Sequence, residues 1–181
     1  MANLKKLHVV LDIDNTCITN EIDNEKYPAT EPNMWEPSHG DFGYHRPGLL
    51  EFLNKCFENF ASVSLWTSAG NNWLQIFIKS LPESTHNKFL FMWSFRKCVR
   101  QDGIFIKPLR KMWDDEIAKN IGMDETTTII IDDLKEVCME NPNNHYCIKY
   151  YGYHDENDKE LDTAYLFLHK RNIELCTSIK N

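Results

Sequence analysis

The chain has 181 residues, 42% of them hydrophobic, which is enough for one substantial core and leaves little for a second, so we expect a single domain over residues 1–181. Its formal net charge of −7 argues against direct nucleic-acid binding, because phosphate backbones attract basic surfaces. No apolar stretch approaches the roughly 20 residues that cross a bilayer, and the first residues lead into a strand rather than a signal peptide, so we expect an intracellular protein that is neither secreted nor membrane-bound.

The first predicted element is a buried strand that ends in two carboxylates. The apolar run over 7–11 has the length of a strand, and Asp12 and Asp14 follow it one residue apart. Ligands bind where the strands of an open parallel sheet end, so both acids are expected to meet one ligand there. A divalent cation would explain how the two charges tolerate each other. The alternative is an ordinary turn capped by Asp and Asn side chains.

The next segments alternate between helix and strand patterns. A polar stretch over 20–44 holds three prolines and two glycines, which predicts an irregular flap over the site. Arg46-Pro47-Gly48 opens a helix that continues to Phe60, followed by a strand over 61–66 and a helix over 72–81. Alternation of this kind predicts parallel strands.

The second half continues the alternation after a small interruption. The stretches 89–93 and 98–106, with a turn at 101–103, are predicted to form an antiparallel excursion. The remaining predictions are a helix over 114–121, a buried strand over 128–131, a short helix that stops at Asn141-Pro142, a strand over 145–150 and a helix over 161–169. Together they predict an α/β fold, a three-layer sandwich around a mostly parallel sheet with a small β-hairpin insertion.

Charged side chains are unevenly distributed in the second half. Asp132 and Asp133 follow the predicted strand 128–131, and two strand-end acid pairs in one small domain are hard to explain as turns. Seven basic residues lie between Lys88 and Lys111 against one acid, whereas 155–162 is nearly all acidic. A basic island in an acidic protein suits a phosphorylated substrate, although a solvated hairpin explains the charge equally well.

The six cysteines show no metal-ligand spacing, and several lie among apolar residues. We therefore predict free thiols rather than a zinc site or a disulfide framework.

Several short motifs, taken in chain order, resemble those of one superfamily. They are Asp-x-Asp-x-Thr at 12–16, Arg-Pro at 46–47, a strand-end hydroxyl motif at 65–69, a lysine motif at 106–109, an acidic motif at 131–133 and an Asn-Pro turn at 141–142. This order resembles the haloacid-dehalogenase-like (HAD) phosphatases, and within them the FCP1/SCP-type phosphatases that act on the carboxy-terminal domain of RNA polymerase II. The departures are Asn15, Cys17 and Trp66, and none removes a catalytic group.

The resemblance implies a HAD-like, Rossmannoid fold and a Mg²⁺-dependent phosphoserine/phosphothreonine protein phosphatase. Phosphate ester hydrolysis through an aspartyl-phosphate suits Asp12 as nucleophile and Asp14 as general acid and base. Mg²⁺ would be bound by the Asp12 carboxylate, the Asp14 backbone carbonyl and Asp132 or Asp133. The leading substrate by resemblance is the polymerase carboxy-terminal repeat, which places the protein in the nucleus or cytoplasm.

Substrate contacts are predicted at four further positions. Thr67 and Ser68 follow the strand over 61–66, and the Thr67 hydroxyl can donate to a phosphoryl oxygen, although it could instead cap the next helix. Lys107 supplies a fixed positive charge to the phosphoryl group, with Lys111 as the competing candidate. Arg96 could bind a second phosphate or the peptide, or simply be a surface charge.

Two other functions remain open from the sequence alone. The same core could hydrolyse a small phosphate ester or a nucleic-acid terminal phosphate, since one fold hosts many substrates. The chain could also be a non-catalytic phosphopeptide-binding module. We expect a monomer with a phosphorylated protein as its main partner.

Overall fold

The central element of the fold is a five-stranded parallel sheet. The computed structural model describes residues 6–20, 34–35, 43–152 and 155–177. The sheet has the order β10-β9-β1-β5-β6, and every neighbouring pair is parallel. Its strands are β1 (His8–Leu11), β5 (Ser62–Trp66), β6 (Phe89–Trp93), β9 (Thr128–Asp132) and β10 (His145–Cys147).

The two strands that lead to the acid pairs, β1 and β9, are rich in β-branched residues and fully buried. β1 has the sequence His-Val-Val-Leu and β9 has Thr-Ile-Ile-Ile-Asp, with every residue buried. Strands covered on both faces are expected to be continuously apolar, because neither face meets water. The expected buried parallel strands are therefore confirmed.

Helices cover both faces of the sheet. They are α1 (Leu49–Asn59), α2 (Asn71–Ser80), α3 (Glu83–His86), α4 (Arg110–Trp113), α5 (Glu116–Asn120) and α6 (Glu160–Thr177). Val9 and Leu11 pack in one apolar cluster with α1, α2 and α6, whereas Val10 packs in a second cluster with residues of α4 and α5. Alternate β1 side chains thus face opposite layers, and the three-layer sandwich is confirmed.

Two small antiparallel sheets flank the parallel one. β2 (Ile18–Thr19), β3 (Met34–Trp35) and β4 (Gly43–His45) form the first, in the order β2-β4-β3. Most of the predicted flap over 20–44 lies outside the described residues. β7 (Val99–Gln101) and β8 (Ile104–Ile106) form the second, the expected hairpin. Its turn places Asp102 and Gly103 at φ of 50° and 86°, as a tight hairpin turn requires.

One strand prediction was wrong and several boundaries differ. Residues 89–93 are not part of the antiparallel excursion, because β6 pairs in parallel with β5 at the edge of the main sheet and buries Phe89, Phe91 and Trp93. The helix expected over 114–121 is the shorter α5, it is preceded by the additional short helix α4, and the last helix continues to Thr177. No helix in the described ranges combines the length and apolar character needed to span a bilayer.

Candidate active site

The carboxyl ends of three adjacent strands form the site. β1 lies between β5 and β9, and Leu11 is in register with both Leu65 and Ile131. The residues that follow these strands therefore converge on one edge of the sheet. This edge brings together Asp12 and Asp14 after β1, Thr67 and Ser68 after β5, and Asp132 and Asp133 at the end of β9.

Lys107, the predicted fixed cation, lies buried between two carboxylates. Its ammonium donates to Asp132 Oδ2 at 2.7 Å and to Asp12 Oδ1. The three residues are 1%, 1% and 5% exposed, for Lys107, Asp132 and Asp12 respectively. Burial alone would lower the pKa of Lys107, but the attraction of the two carboxylates outweighs it and raises that pKa. Lys107 is therefore charged over the physiological pH range.

The loop that carries Lys107 is fixed by Asn141. The Asn141 side chain donates to the Lys107 carbonyl at 2.7 Å and accepts from the Leu109 amide at 3.0 Å. The Lys107 amide in turn donates to the Val137 carbonyl at 2.8 Å. Sequence reasoning noted Asn141 only as part of a turn, and its spacing from the lysine motif gives no sign of this contact.

Neutral donors surround Asp14, whereas Asp12 faces a cation. The Thr67 hydroxyl donates to Asp14 Oδ2 at 3.0 Å, and the Trp73 indole N–H donates to Oδ1 at 2.6 Å. Burial raises the pKa of Asp14, and the two donors only partly oppose this effect. Thr67 also accepts from the Ala69 amide at 2.9 Å. The predicted phosphoryl donor is thus engaged by Asp14 in this structure, and Trp73 is a site residue that sequence reasoning missed.

One carboxylate oxygen of Asp133, Oδ2, is buried and has no hydrogen-bond partner among the described residues. The other oxygen accepts from the Thr16 hydroxyl at 3.3 Å. Burial and the nearby Asp132 charge raise the pKa of Asp133 to about 6. Ligand atoms of Asp12, Asp132 and Asp133 all lie within 4.8 Å of one another. Oxygen ligands at this spacing fit a divalent cation, and an additional cation would relieve the excess of carboxylates over the single lysine.

Arg46 anchors the loop that follows Asp14. Its guanidinium donates to both carboxylate oxygens of Asp158, each at 2.9 Å, and to the backbone carbonyls of Thr16 and Lys149 at 3.1 and 2.8 Å. Arg46 is 1% exposed, so the ion pair is desolvated. Sequence reasoning treated Arg46 as the start of a helix and Asp158 as part of an acidic surface run. Neither pattern predicts their pairing.

The remaining predicted substrate residues lie at the edge of the site or outside it. Ser68 is half-buried next to Thr67. Arg96 is exposed in the short 3₁₀ turn Phe95–Lys97, and no hydrogen bond or ion pair among the described residues joins it to the acids. Lys111 is also exposed and donates to the Lys97 carbonyl at 3.0 Å. The geometry therefore places Lys107, and not Lys111, in the acidic cluster.

All six cysteines are free thiols, as predicted. Cys17, Cys56 and Cys138 are buried, Cys98 and Cys176 are half-buried, and Cys147 is exposed. The candidate metal-binding group of Asp12, Asp132 and Asp133 contains no cysteine. The donor set is thus oxygen only, which is typical of Mg²⁺, Ca²⁺ or Mn²⁺ rather than zinc.

Comparison with known proteins gives a consistent family. The sequence profile of the NLI interacting factor-like phosphatase family matches residues 7–178. The CTD phosphatase-like protein 355R of Invertebrate iridescent virus 6 is 31% identical over 172 residues, which cover 86% of this chain and 91% of the viral protein. The CTD phosphatase-like protein 355R of Invertebrate iridescent virus 3 is 26% identical over 189 residues, which cover 94% of this chain and 97% of that viral protein.

A solved structure shares the fold. Fcp1, an essential RNA polymerase II CTD phosphatase, matches with a TM-score of 0.60 and 20% sequence identity over 96% of this chain. A structure of fission yeast Fcp1 bound to beryllium fluoride matches with a TM-score of 0.58 at 20% identity. The chain spans about half the length of these Fcp1 structures, 53% and 52%.

Proposed function

The chain belongs to the NLI interacting factor-like phosphatase family, and from this premise we propose that it is a Mg²⁺-dependent phosphoserine/phosphothreonine protein phosphatase. The observation that carries the proposal is the buried Lys107 between Asp12 and Asp132, close to the Asp133 oxygen that has no hydrogen-bond partner in the described part of the chain. A phosphate dianion needs positive charge on the side from which a carboxylate attacks. A binding module would not need a buried carboxylate that faces this charge.

Asp12 is the proposed nucleophile. One of its carboxylate oxygens attacks phosphorus, the bond from phosphorus to the substrate oxygen breaks, and an aspartyl-phosphate forms. Lys107 holds Asp12 in place and offsets charge on the phosphoryl oxygens. Water then attacks the same phosphorus atom and releases inorganic phosphate, which regenerates the carboxylate.

Asp14 is the proposed general acid and base. Its carboxyl group gives a proton to the departing serine or threonine oxygen and takes one from the attacking water. Burial raises its pKa, which favours the protonated form that the first step needs. Thr67 and Ser68 are proposed to contact the phosphoryl group and Arg96 the peptide, with Thr67 turning its hydroxyl from Asp14 to the substrate.

The acidic cluster suits one divalent cation, which we propose to be Mg²⁺. Asp12, Asp132 and Asp133 offer carboxylate oxygens, and Asp14 offers its backbone carbonyl because Thr67 and Trp73 occupy its side chain. When bound, the cation would neutralise charge that otherwise repels an anionic substrate from an anionic nucleophile. Asp132 already accepts from Lys107 and from the Leu134 amide. This favours Asp133 as the more direct ligand of the two.

The proposed substrate is a phosphorylated protein, and the RNA polymerase II carboxy-terminal repeat is the leading candidate. The curated viral relatives are described as CTD phosphatase-like. Between Thr67 and the lysine motif, the described chain adds only the hairpin β7–β8 to the sheet and its helices, and a small insertion at this point favours an open site that admits a peptide. We further propose that residues 1–181 act as one domain and as a monomer, in the nucleus or cytoplasm.

Phosphate release with Mg²⁺ tests this proposal. The purified chain is compared on serine-phosphorylated polymerase-repeat peptides, unrelated phosphopeptides and small phosphate esters, with Asp12→Asn as the inactive control. We expect the highest kcat/KM on the repeat peptides. Higher kcat/KM on small esters would assign a metabolite phosphatase instead, and no release from any substrate would leave only phosphopeptide binding.

A further inference from the structure

Two donors of different kinds hold the Asp14 carboxylate, and each takes one oxygen. The Trp73 indole N–H donates to Oδ1 at 2.6 Å, and the Thr67 hydroxyl donates to Oδ2 at 3.0 Å. Among the described residues Asp14 forms no ion pair with a basic side chain, unlike Asp12, which pairs with Lys107. The orientation of its carboxylate therefore depends on these two neutral side chains.

Only one of the two donors is free to leave Asp14 for the substrate. A threonine hydroxyl has a single hydrogen, so it can serve either Asp14 or a phosphoryl oxygen at one time. The Thr67 oxygen stays anchored in both cases, because it accepts from the Ala69 amide at 2.9 Å. When the hydroxyl hydrogen turns to the phosphoryl group, Asp14 Oδ2 loses its donor and Oδ1 keeps the indole.

The indole donor also influences which oxygen carries a proton. Indole N–H is a donor only and cannot accept a hydrogen bond. The indole N–H already occupies Oδ1 at 2.6 Å and cannot accept from a hydrogen placed on that oxygen. The short bond therefore favours the protonated form that carries its hydrogen on Oδ2, the oxygen that Thr67 releases.

We propose that Trp73 is a positioning residue that holds Oδ1 of the Asp14 carboxyl group so that Oδ2 delivers the proton to the leaving group. The proposal rests on the phosphatase activity proposed above. In the step concerned, an Asp12 oxygen forms a bond to phosphorus and the bond from phosphorus to the leaving oxygen breaks. The electron pair of that bond stays on the leaving oxygen, which takes the proton from Asp14 Oδ2.

The fold holds Trp73 firmly enough for this role. Trp73 lies in the first turn of α2, which begins after Gly70 and is closed by the bond from the Leu74 amide to the Gly70 carbonyl at 3.1 Å. The helix buries Leu74, Phe77 and Ile78, and the Trp73 ring packs against the same core. The indole therefore approaches Asp14 from a helix that is anchored in the core, and not from a surface loop.

The test is the Trp73→Phe variant, measured on aryl phosphates whose leaving phenols span a wide range of pKa, and on a phosphoserine peptide. Phenylalanine keeps most of the ring packing and removes the N–H. The measured quantity is kcat/KM, because it reports steps only up to the first phosphoryl transfer. We expect a loss of about 10–100-fold on phosphoserine and less than about threefold on the most activated aryl ester, so that log(kcat/KM) falls more steeply with leaving-group pKa.

A matched control removes an indole N–H elsewhere in the chain. The Trp113 indole donates to the Thr128 hydroxyl at 3.0 Å, outside the acidic cluster, so Trp113→Phe should leave the slope unchanged. If Trp73→Phe does not fold, the pair Trp73→Gln and Trp73→Leu replaces it, since only glutamine restores an N–H donor. Glutamine should then keep a shallower slope than leucine.

Failure of this proposal differs from failure of the proposed function. A loss by the same factor on every ester, or equal slopes for the Gln and Leu variants, would overturn the positioning role while wild-type activity persists. A wild-type chain that hydrolyses no phosphate ester would instead overturn the phosphatase activity itself.

Discussion

Two aspartates that are one residue apart in the sequence have different surroundings, and their proposed roles follow from this difference. Asp12 contacts the charged Lys107, whereas Asp14 contacts the neutral donors Thr67 and Trp73. Burial raises the pKa of both carboxyl groups; the charged Lys107 is the main influence that opposes this at Asp12, whereas the Thr67 and Trp73 donors are the main ones at Asp14. The pair is therefore suited to one nucleophile and one proton carrier.

At this scale we predict that Asp12→Asn reduces phosphate release to the uncatalysed background, because an amide cannot attack phosphorus. The same change removes one of several crowded carboxylates, so the melting temperature without metal should stay within a few degrees of wild type. Phosphate assays and thermal unfolding measure the two effects. Turnover within tenfold of wild type would contradict the assignment of Asp12 as nucleophile.

At the scale of elements, the Asn141 side chain, in a turn that follows β9, holds the loop at 107–109, which follows β8. Asn141 is 4% exposed and pairs with the backbone of both Lys107 and Leu109. Buried backbone groups that lose their partner cost about 1–3 kcal/mol each. The position of Lys107 thus depends on a residue outside the acidic cluster.

We predict that Asn141→Ala lowers the free energy of unfolding by about 2–4 kcal/mol, because it leaves a buried carbonyl and a buried amide unpaired. Phosphatase activity should fall as well, since Lys107 is no longer held between Asp12 and Asp132. Urea unfolding and kcat are the measurements. Asn143→Ala, at an exposed position in the same turn, is the matched control and should change neither quantity.

His45, in the three-stranded sheet β2-β4-β3, should make the free energy of unfolding depend on pH. His45 at the end of β4 bonds to the Ser80 hydroxyl at 2.8 Å, and burial lowers its pKa to about 4. The unfolded chain takes up a proton near pH 6.5 while the folded chain resists it, so this contribution to stability is lost as pH falls from about 6.5 towards 4.

The expected result is that His45→Gln flattens the fall in stability between pH 6.5 and pH 4.5 compared with wild type. At about 1.4 kcal/mol per pKa unit, the difference between the two proteins should reach about 2–3 kcal/mol at the acid end. Urea unfolding at several pH values measures it. Parallel stability curves would show that His45 is protonated in the folded protein too.

The sequence predicted best those elements whose pattern depends on burial alone. β1 and β9 were recognised from continuous apolar runs, and the strand-end acids followed from parallel topology. β6 was misassigned, because an apolar run next to a hairpin looks the same whether it pairs in parallel or antiparallel. Trp73 contacts Asp14 across 59 residues of sequence, and Asp158 contacts Arg46 across 112. No local sequence pattern encodes contacts between such distant residues.

At the scale of the whole molecule, metal binding should be linked to folding. The acidic cluster joins the ends of β1 and β9, and unfolding separates them, so a cation that binds the native cluster stabilises the fold. We predict that Mg²⁺ at about 100 times its Kd adds about 2.7 kcal/mol and raises the melting temperature by about 5–10 °C. Chelation should reverse the shift and abolish activity.

Variants of the second acid pair provide the control for this metal effect. Asp133→Ala should remove most of the Mg²⁺-dependent shift, because Asp133 Oδ2 is the buried oxygen without a partner among the described residues. Asp132→Ala should be similar or milder, since Asp132 also orients Lys107. A melting temperature that is indifferent to saturating Mg²⁺, or full activity in excess chelator, would contradict a metal site here.

The order of the central sheet also has a consequence for protein synthesis. β1, with Asp12 and Asp14, leaves the ribosome before its neighbour β9, which begins more than a hundred residues later. Until β9 emerges and inserts beside β1, Asp12 lacks Asp132 and Asp133, although Lys107 has already been synthesised. The growing polypeptide therefore cannot assemble the complete acidic cluster until β9, the second strand that pairs with β1, is in place.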